Sequence, residues 1–334
     1  MVAENAAPQP TTIQKLTTAV YPSFAMLAGM QLDVFTPLKD GPMTAAQLAD
    51  ALDVKPEKLS PLLYALVAAE LLTVDGARFA NTPEAHQFLV QGKPTYMGDQ
   101  HEFYTDSWSA LLQTAASIRS GRPQAQHNFS TMSVDELAIF LRNLHPQAVI
   151  AGQQLVGLYD FTSHQTLVDA GGGTGGMALA ITNAYPHLQA TVIDLPSVVP
   201  VTQRCIEENR ATDRIQVNAA NVVEEPLPGT YDVAVLRSLL QVLSPEQAFE
   251  ALRHICAAIH PGGVIHIVGR ILDDSRLSPL ETVGFNLVFL NVYRDGCACT
   301  EREHRDWLTT LGFDHIERKP LTNGFSVITA HKPA

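Results

Sequence analysis

Residues 167–176 read Leu-Val-Asp-Ala-Gly-Gly-Gly-Thr-Gly-Gly, and residues 190–194 read Ala-Thr-Val-Ile-Asp. Both stretches end a run of apolar residues, as a buried parallel strand does. Glycines after the first strand let the backbone turn tightly and approach a ligand closely, because they carry no Cβ. Asp194 falls about 20 residues beyond them, the spacing at which a carboxylate reaches ribose hydroxyls. A dinucleotide loop would set a pyrophosphate on the following helix N-terminus. Here Asp169 precedes the glycines and would repel phosphate, but it suits a cation. S-adenosylmethionine (SAM) carries a sulfonium and an ammonium and no phosphate, so it fits the pattern. A glycine-rich turn with no ligand is the bland alternative.

These groups need a frame to hold them. Beyond about Thr166, strand-like runs (LVDA, ATVID, RIQVNAA, DVAVLRS, GVIHIVGR, then HIERKPL and GFSVITAHK) alternate with helical patterns. Such alternation predicts an α/β, doubly wound, Rossmann-like sheet with helices on both faces. Upstream, residues 12–38 read as helix interrupted at Pro22. Residues 44–52 read as a short helix capped by Thr44, and 55–72 as another. Residues 72–81 read as a hairpin with Asp75-Gly76 at its turn. Three helices and a hairpin make a winged-helix arrangement. Gly92-Lys93-Pro94 marks a linker, and residues 97–160 read as further helices, the first ending at Arg119-Ser120-Gly121. That stretch, rich in aromatics and histidines, is expected to roof the active site. The domains expected are therefore 1–95 (winged-helix-like), 96–160 (helical linker and roof) and 161–334 (SAM-binding).

Composition narrows the partners. The 334-residue chain carries a net charge of −12, which disfavours nucleic acid and anionic membrane alike. A winged helix usually meets DNA, but residues 39–93 hold few bases and several acids, so a protein contact is expected instead. No apolar run of about 18 residues is present, so no membrane span is expected. The N-terminal MVAENAAPQP lacks the basic and apolar regions of a secretory signal. Four cysteines, with Cys297 and Cys299 only two apart, match no common disulfide, zinc or redox pattern. Reduced cysteines, no bound metal and a cytoplasmic location are expected.

With these segments in view, the chain resembles the plant-caffeate-type and hydroxyindole-type SAM-dependent O-methyltransferases. The resemblance runs from about Thr18 to the C-terminus. It rests on the winged-helix segment, LVDAGGGTGG, VIDLP, LRSLLQVLSPEQ, HPGGVIHIVGRIL and TEREHRDWLTTLGF. It implies a methyltransferase that dimerises through its N-terminal domain and acts on a small molecule. It further implies that Asp169, Gly171, Gly173 and Gly175 hold the methionine part of SAM, that Asp194 holds the ribose hydroxyls and that Leu195 flanks adenine. Asn221 stands where the family has an Asp near the adenine amine, and its amide carbonyl can accept the same bond. Arg237 stands where the family often has Lys.

The reacting centre departs from the family. Its members carry a His in a segment of the form L-x-x-[VIL]-L-His-[DN]-W, and this His deprotonates the acceptor hydroxyl. Here the segment is LRSLLQVLS and the position is Gln241. An amide takes no proton near neutral pH, and general-base catalysis is commonly worth about 10²–10⁴-fold. The two acids that support the His in plant members fall at Gly269 and Ala298 in an ungapped alignment. A thioether acceptor needs no base, because its sulfur attacks with its own lone pair and the positive charge passes from one sulfur to another. Such a site needs alignment and aromatic faces for a cation, and Phe103, Tyr104, Trp108, Phe289 and Tyr293 lie in segments that can supply them. The chain is also similar to the bacterial S-methyltransferases of the dimethylsulfoniopropionate pathway, which act on 4-methylthio-2-hydroxybutyrate. That acid would need a cationic anchor, for which Arg142, Arg294 and His145 are candidates; His101 is a further substrate candidate. Each has an ordinary reading too. Trp108 can be packing, the two arginines surface ion pairs, the histidines hydrogen-bonded helix residues, and Gln241 a space filler. C-methylation, O-methylation of an acidic group, and a SAM-binding protein without methylation remain alternatives.

Overall fold

The computed structural model describes residues 8–93, 95–126 and 132–334, so Pro94 of the linker lies outside the described residues. The chain divides into two compact units, with the boundary between Asp106 and Ser107.

The first unit contains α1 (Thr11–Thr18), α2 (Tyr21–Gln31), β1 (Met43–Thr44), α3 (Ala45–Ala51), α4 (Pro56–Ala68), β2 (Leu72–Asp75), β3 (Arg78–Asn81) and α5 (Pro83–Phe88), and it ends within α6 (His101–Leu111). Thr44 and Gln47 cap α3 reciprocally, the Gln47 side chain accepting from the Thr44 N–H. The strands form an antiparallel sheet in the order β1-β3-β2, the wing expected from sequence. Two boundaries differ. The helical break falls at Ala19-Val20, and Pro22 opens α2, where its missing N–H costs nothing. Asp75 still pairs with Arg78, so the hairpin loop is Gly76-Ala77. Leu48, Leu63, Leu66 and Phe79 form the centre of this unit's core. In contrast, α1 buries no residue, and Ile13, Leu16, Tyr21 and Phe24 are half or more exposed.

The second unit contains α7 (Thr114–Ser120), α8 (Val134–Leu158), β4 (Thr166–Ala170), α9 (Gly176–Ala184), β5 (Gln189–Asp194), α10 (Val199–Glu208), β6 (Ile215–Ala219), β7 (Tyr231–Arg237), α11 (Pro245–Ala257), β8 (Ile259–Gly269), α12 (Leu280–Val292), α13 (Glu301–Thr310), β9 (Asp314–Pro320) and β10 (Ser326–His331). Its seven-stranded sheet runs β6-β5-β4-β7-β8-β10-β9, with only β10 antiparallel to its neighbours. Two buried clusters, one around Ile193, Leu236 and Ile255 and the other around Leu167, Ile181 and Val192, cover its two faces. The strand order reverses between β4 and β7, and in open α/β sheets ligands bind beyond the carboxyl ends at that point. Long α8 lies close on α9. A Cβ at Gly152 would stand 2.7 Å from that of Ala180, and one at Gly176 would stand 2.7 Å from that of Ala148. This approach brings α8 against the start of α9, where the glycine loop ends. Among the described residues no helix is long and apolar enough to cross a membrane.

Candidate active site

Asp169 ends its strand almost fully buried, at 1% exposure. Its Oδ2 accepts the Ala178 N–H at 3.2 Å, while Oδ1 has no partner. Burial pushes the carboxyl up to about 7; the Ala178 N–H and the positive Arg237 oppose this, and the negative Asp194 adds to it. A buried acid with one idle oxygen is poised to meet a cation or a donor. Gly172 makes the space, because a Cβ there would stand 2.8 Å from the Asp169 Cγ and 2.7 Å from a Val192 methyl. Gly171, Gly173 and Gly175 all adopt positive φ (65°, 56° and 74°), which a side chain would strain.

Asp194 clamps the same loop. Its Oδ2 accepts the Gly173 N–H and its Oδ1 the Leu195 N–H, each at 2.7 Å. Burial raises its carboxyl and the two donors pull it back. Each oxygen keeps a further lone pair for an outside hydroxyl. Two further partners finish the cradle: Thr202, which sequence did not single out, and His145, a candidate acceptor anchor. The Thr202 hydroxyl donates to the Gly173 carbonyl, and His145 Nδ1 lies 2.8 Å from the Thr174 hydroxyl. His145 therefore belongs to the glycine loop, and its burial lowers its pKa and favours the neutral ring. Asn221 Oδ1 already accepts the Val223 N–H at 3.1 Å, so one of its two lone pairs is spent on its own turn. The idle Asp169 oxygen and the strain-dependent glycines fit a cationic nucleoside such as SAM.

Next to this cradle, on β7, β8 and the segments after them, lies a second group. Gln241 is 9% exposed, and its Oε1 accepts the Arg270 backbone N–H at 2.9 Å. A Cβ at Gly269 would stand 3.1 Å from that oxygen. Position 269, where the resemblance would place a supporting acid, thus faces position 241, and the Gln241 amide turns back onto the backbone there. Gln241, Gly269, Arg270, Cys299 and His304 share one hollow. His304 is 4% exposed; its Nδ1 lies 2.8 Å from the Thr300 carbonyl and donates to it. Burial lowers its pKa. His304 carries no sequence signal, because it lies within the helical run of 301–310 with no distinguishing neighbour. Cys297 and Cys299 stand with their sulfurs 3.9 Å apart and unbridged.

The remaining expected residues are scattered. Arg142 pairs with Glu208 at 3.1 Å, both about half exposed. Arg294 is exposed in the segment after α12. Tyr293 continues an aromatic ladder on α12, with Phe285–Phe289 centroids 5.2 Å apart and Phe289–Tyr293 centroids 6.1 Å apart. Trp108 is half-buried on the part of α6 in the second unit. His101, Phe103 and Tyr104 belong to the first unit, where the Tyr104 hydroxyl donates to Gln100 at 2.8 Å. No cluster suited to a metal ion occurs among the described residues.

Comparison with known proteins adds to this geometry. A family profile described as an O-methyltransferase domain matches residues 115–314, and one described as an O-methyltransferase dimerisation domain matches residues 14–91. The chain is 28% identical over 330 residues to the tetracenomycin polyketide synthesis 8-O-methyl transferase TcmO of Streptomyces glaucescens, covering 97% of each chain. It is 26% identical to the N,N-dimethyltransferase OxyT of Streptomyces rimosus, again covering 97% of each. Human N-acetylserotonin methyltransferase, solved in complex with SAM, superposes with a TM-score of 0.85 at 22% identity, covering all of both chains.

Proposed function

From the premise that this chain belongs to the O-methyltransferase family and is a SAM-dependent methyltransferase, we propose that it methylates a small molecule without a general base at position 241. The reading assigns the methionine part of SAM to Asp169 and to Gly171, Gly173 and Gly175. It assigns the ribose hydroxyls to Asp194 and the adenine to Leu195 and Asn221, with Arg237 at the edge. When bound, SAM supplies a methyl group on a sulfonium, which an acceptor lone pair can take by in-line displacement. Gln241 then aligns and shields, and it removes nothing.

One observation carries the reading. The Gln241 amide, which takes no proton near neutral pH, is held by the Arg270 N–H, and the 269 position holds no side chain to support a base. The acceptor best suited to such a site is a thioether acid such as 4-methylthio-2-hydroxybutyrate, whose sulfur loses no proton. The aromatic faces of α12 support this choice, since Phe285 already carries a guanidinium 4.1 Å from its centroid. They could shelter a developing sulfonium in the same way.

O-methylation is the second reading. The curated relatives' names favour it, as does the neutral His304 ring that lines the hollow of Gln241. Labelled SAM with a panel of thioethers, phenols and keto acids separates the two. The expected result is turnover of thioethers with a kcat that is independent of pH at saturating SAM. Turnover confined to phenols, with a base-dependent limb lost in His304→Gln, would replace the first reading by the second.

The matched dimerisation domain supports a homodimer. We assign its contact to α1 and α2, whose apolar side chains face outward within their own unit.

A further inference from the structure

Two arginines near the carboxyl ends of β7 and β8 carry charge that the protein leaves without a matching anion. Arg237 Nε is buried and has no partner, and its Nη2 reaches only the Gln147 amide oxygen at 3.4 Å. Arg270 uses one N–H, from Nη1 to the Asn323 carbonyl at 3.2 Å. Its guanidinium lies 4.1 Å from the Phe285 centroid and 4.9 Å from that of Phe325, while Arg237 lies 5.4 Å from the same Phe325 ring. Neither arginine forms an ion pair among the described residues, whereas other arginines of this unit, Arg142, Arg302 and Arg305 among them, do. Burial lowers both, each to about 10, and each stays charged at neutral pH. Asp169 and Glu281 act on them only from beyond ion-pair distance. Desolvated cations left this way are costly unless an anion joins them.

We propose that Arg270, which shares the Phe325 ring with the cofactor-side Arg237, binds a carboxylate of the methyl acceptor. The assignment rests on the proposed methyl transfer and adds the part of the acceptor that the protein grips. The acceptor's carboxylate is favoured over the carboxylate of SAM by position. Arg270 follows β8 and donates its own backbone N–H to Gln241, whereas the glycine cradle follows β4. A planar fork packed against two rings is pre-organised for two-point contact with a carboxylate. The Arg142, Arg294 and His145 candidates are poorer anchors, being respectively ion-paired, exposed and bonded to the glycine loop.

The test uses the full-length protein saturated with S-adenosylhomocysteine, which removes any dependence on turnover. Calorimetry compares 4-methylthio-2-hydroxybutyrate with its primary amide. The acid should bind at least about tenfold tighter than the amide, from hydrogen bonds to a charged group. Arg270→Met should abolish that preference while leaving S-adenosylhomocysteine affinity intact, and Arg270→Lys should restore only part of it. Intact cofactor affinity certifies the fold of each variant. Equal binding of acid and amide, or no binding of either, overturns the proposal. So does an Arg270→Met variant that keeps the preference, or one that loses S-adenosylhomocysteine affinity instead, since the carboxylate gripped would then be the cofactor's. Turnover of neutral thioethers but not acidic ones would remove this carboxylate site and leave base-free methyl transfer standing.

Discussion

The two halves of the crevice are built on different terms. On the β4–β5 side the polar groups are spent mainly on the glycine loop and its neighbours, with one Asp169 oxygen left idle. Asp194 holds two loop N–H groups, Thr202 holds a loop carbonyl, and Gly172 makes room for Asp169. On the β7–β8 side the side chains point back at the protein or stay unmatched. Gln241 bonds a backbone N–H, Gly269 offers nothing, and neither Arg237 nor Arg270 forms an ion pair among the described residues. The first side can serve any member of a SAM-dependent family. In the reading proposed above, the second is where one acceptor would be told from another. A relative that shares 26% identity over the whole length is named for N,N-dimethylation, so this scaffold carries more than one acceptor chemistry.

The comparison breaks most visibly if the cofactor side is damaged. Asp194→Ala removes the ribose acceptor and releases the Gly173 and Leu195 N–H groups together. Hydrogen bonds to charged groups are worth about 1.5–3 kcal/mol each, so SAM binding should weaken well over tenfold by calorimetry. Unchanged binding would end the assignment of that side to the cofactor.

A gentler probe is pH. Asp169 must ionise to meet a cation, and burial holds its carboxyl up to about 7. SAM affinity should rise by about tenfold between pH 6 and pH 8 and then level off. Asp169→Asn should flatten that profile as well as weaken binding. The same shift acts oppositely on the ligand-free fold. A carboxyl raised above its ordinary value keeps its proton in the folded state, so stability falls as pH rises from about 4 to about 7. Thermal unfolding of the ligand-free protein reads this directly.

On the acceptor side the expected effect is nil, which sharpens the contrast. Gln241→His places an imidazole where the family keeps its base, yet a thioether has no proton to give up. Its methylation rate should not increase. A large gain in kcat, with a new ionisation near that of histidine, would show that the acceptor loses a proton after all.

The sequence showed much of this fold and only part of the site. Alternating apolar runs and capping residues such as Thr44 and Ser133 are local signals, and the strands and helices follow them. The glycine run and Asp194 are equally local, because their spacing alone carries the chemistry. Arg237 and Arg270 were harder to read. What marks them is the absence of a carboxylate partner, and pairing is decided by residues far along the chain, such as Asn323 and Phe325. Arg142 was a candidate anchor with a surface ion pair as its ordinary reading, and Glu208, 66 positions away, takes its charge. His145 was expected to face the acceptor. It turns to Thr174 instead, because Gly152 and Gly176 let α8 sit close on the glycine loop.

That contrast between arginines yields a prediction for a residue outside both sides, with a small effect on stability alone. Arg142 and Glu208 are each about half exposed, and their ion pair is open to water and salt. Exposed pairs contribute at most ~1 kcal/mol, because solvent screens them and ordering two long side chains costs entropy. Arg142→Ala should shift the unfolding midpoint only slightly and leave both SAM affinity and the KM of an acidic acceptor unchanged. Steady-state kinetics with 4-methylthio-2-hydroxybutyrate checks this. If the KM rose severalfold while kcat held, the acceptor's acid group would be reaching Arg142 by displacing Glu208, and the crevice would extend over α8 to α10 instead of ending at β8.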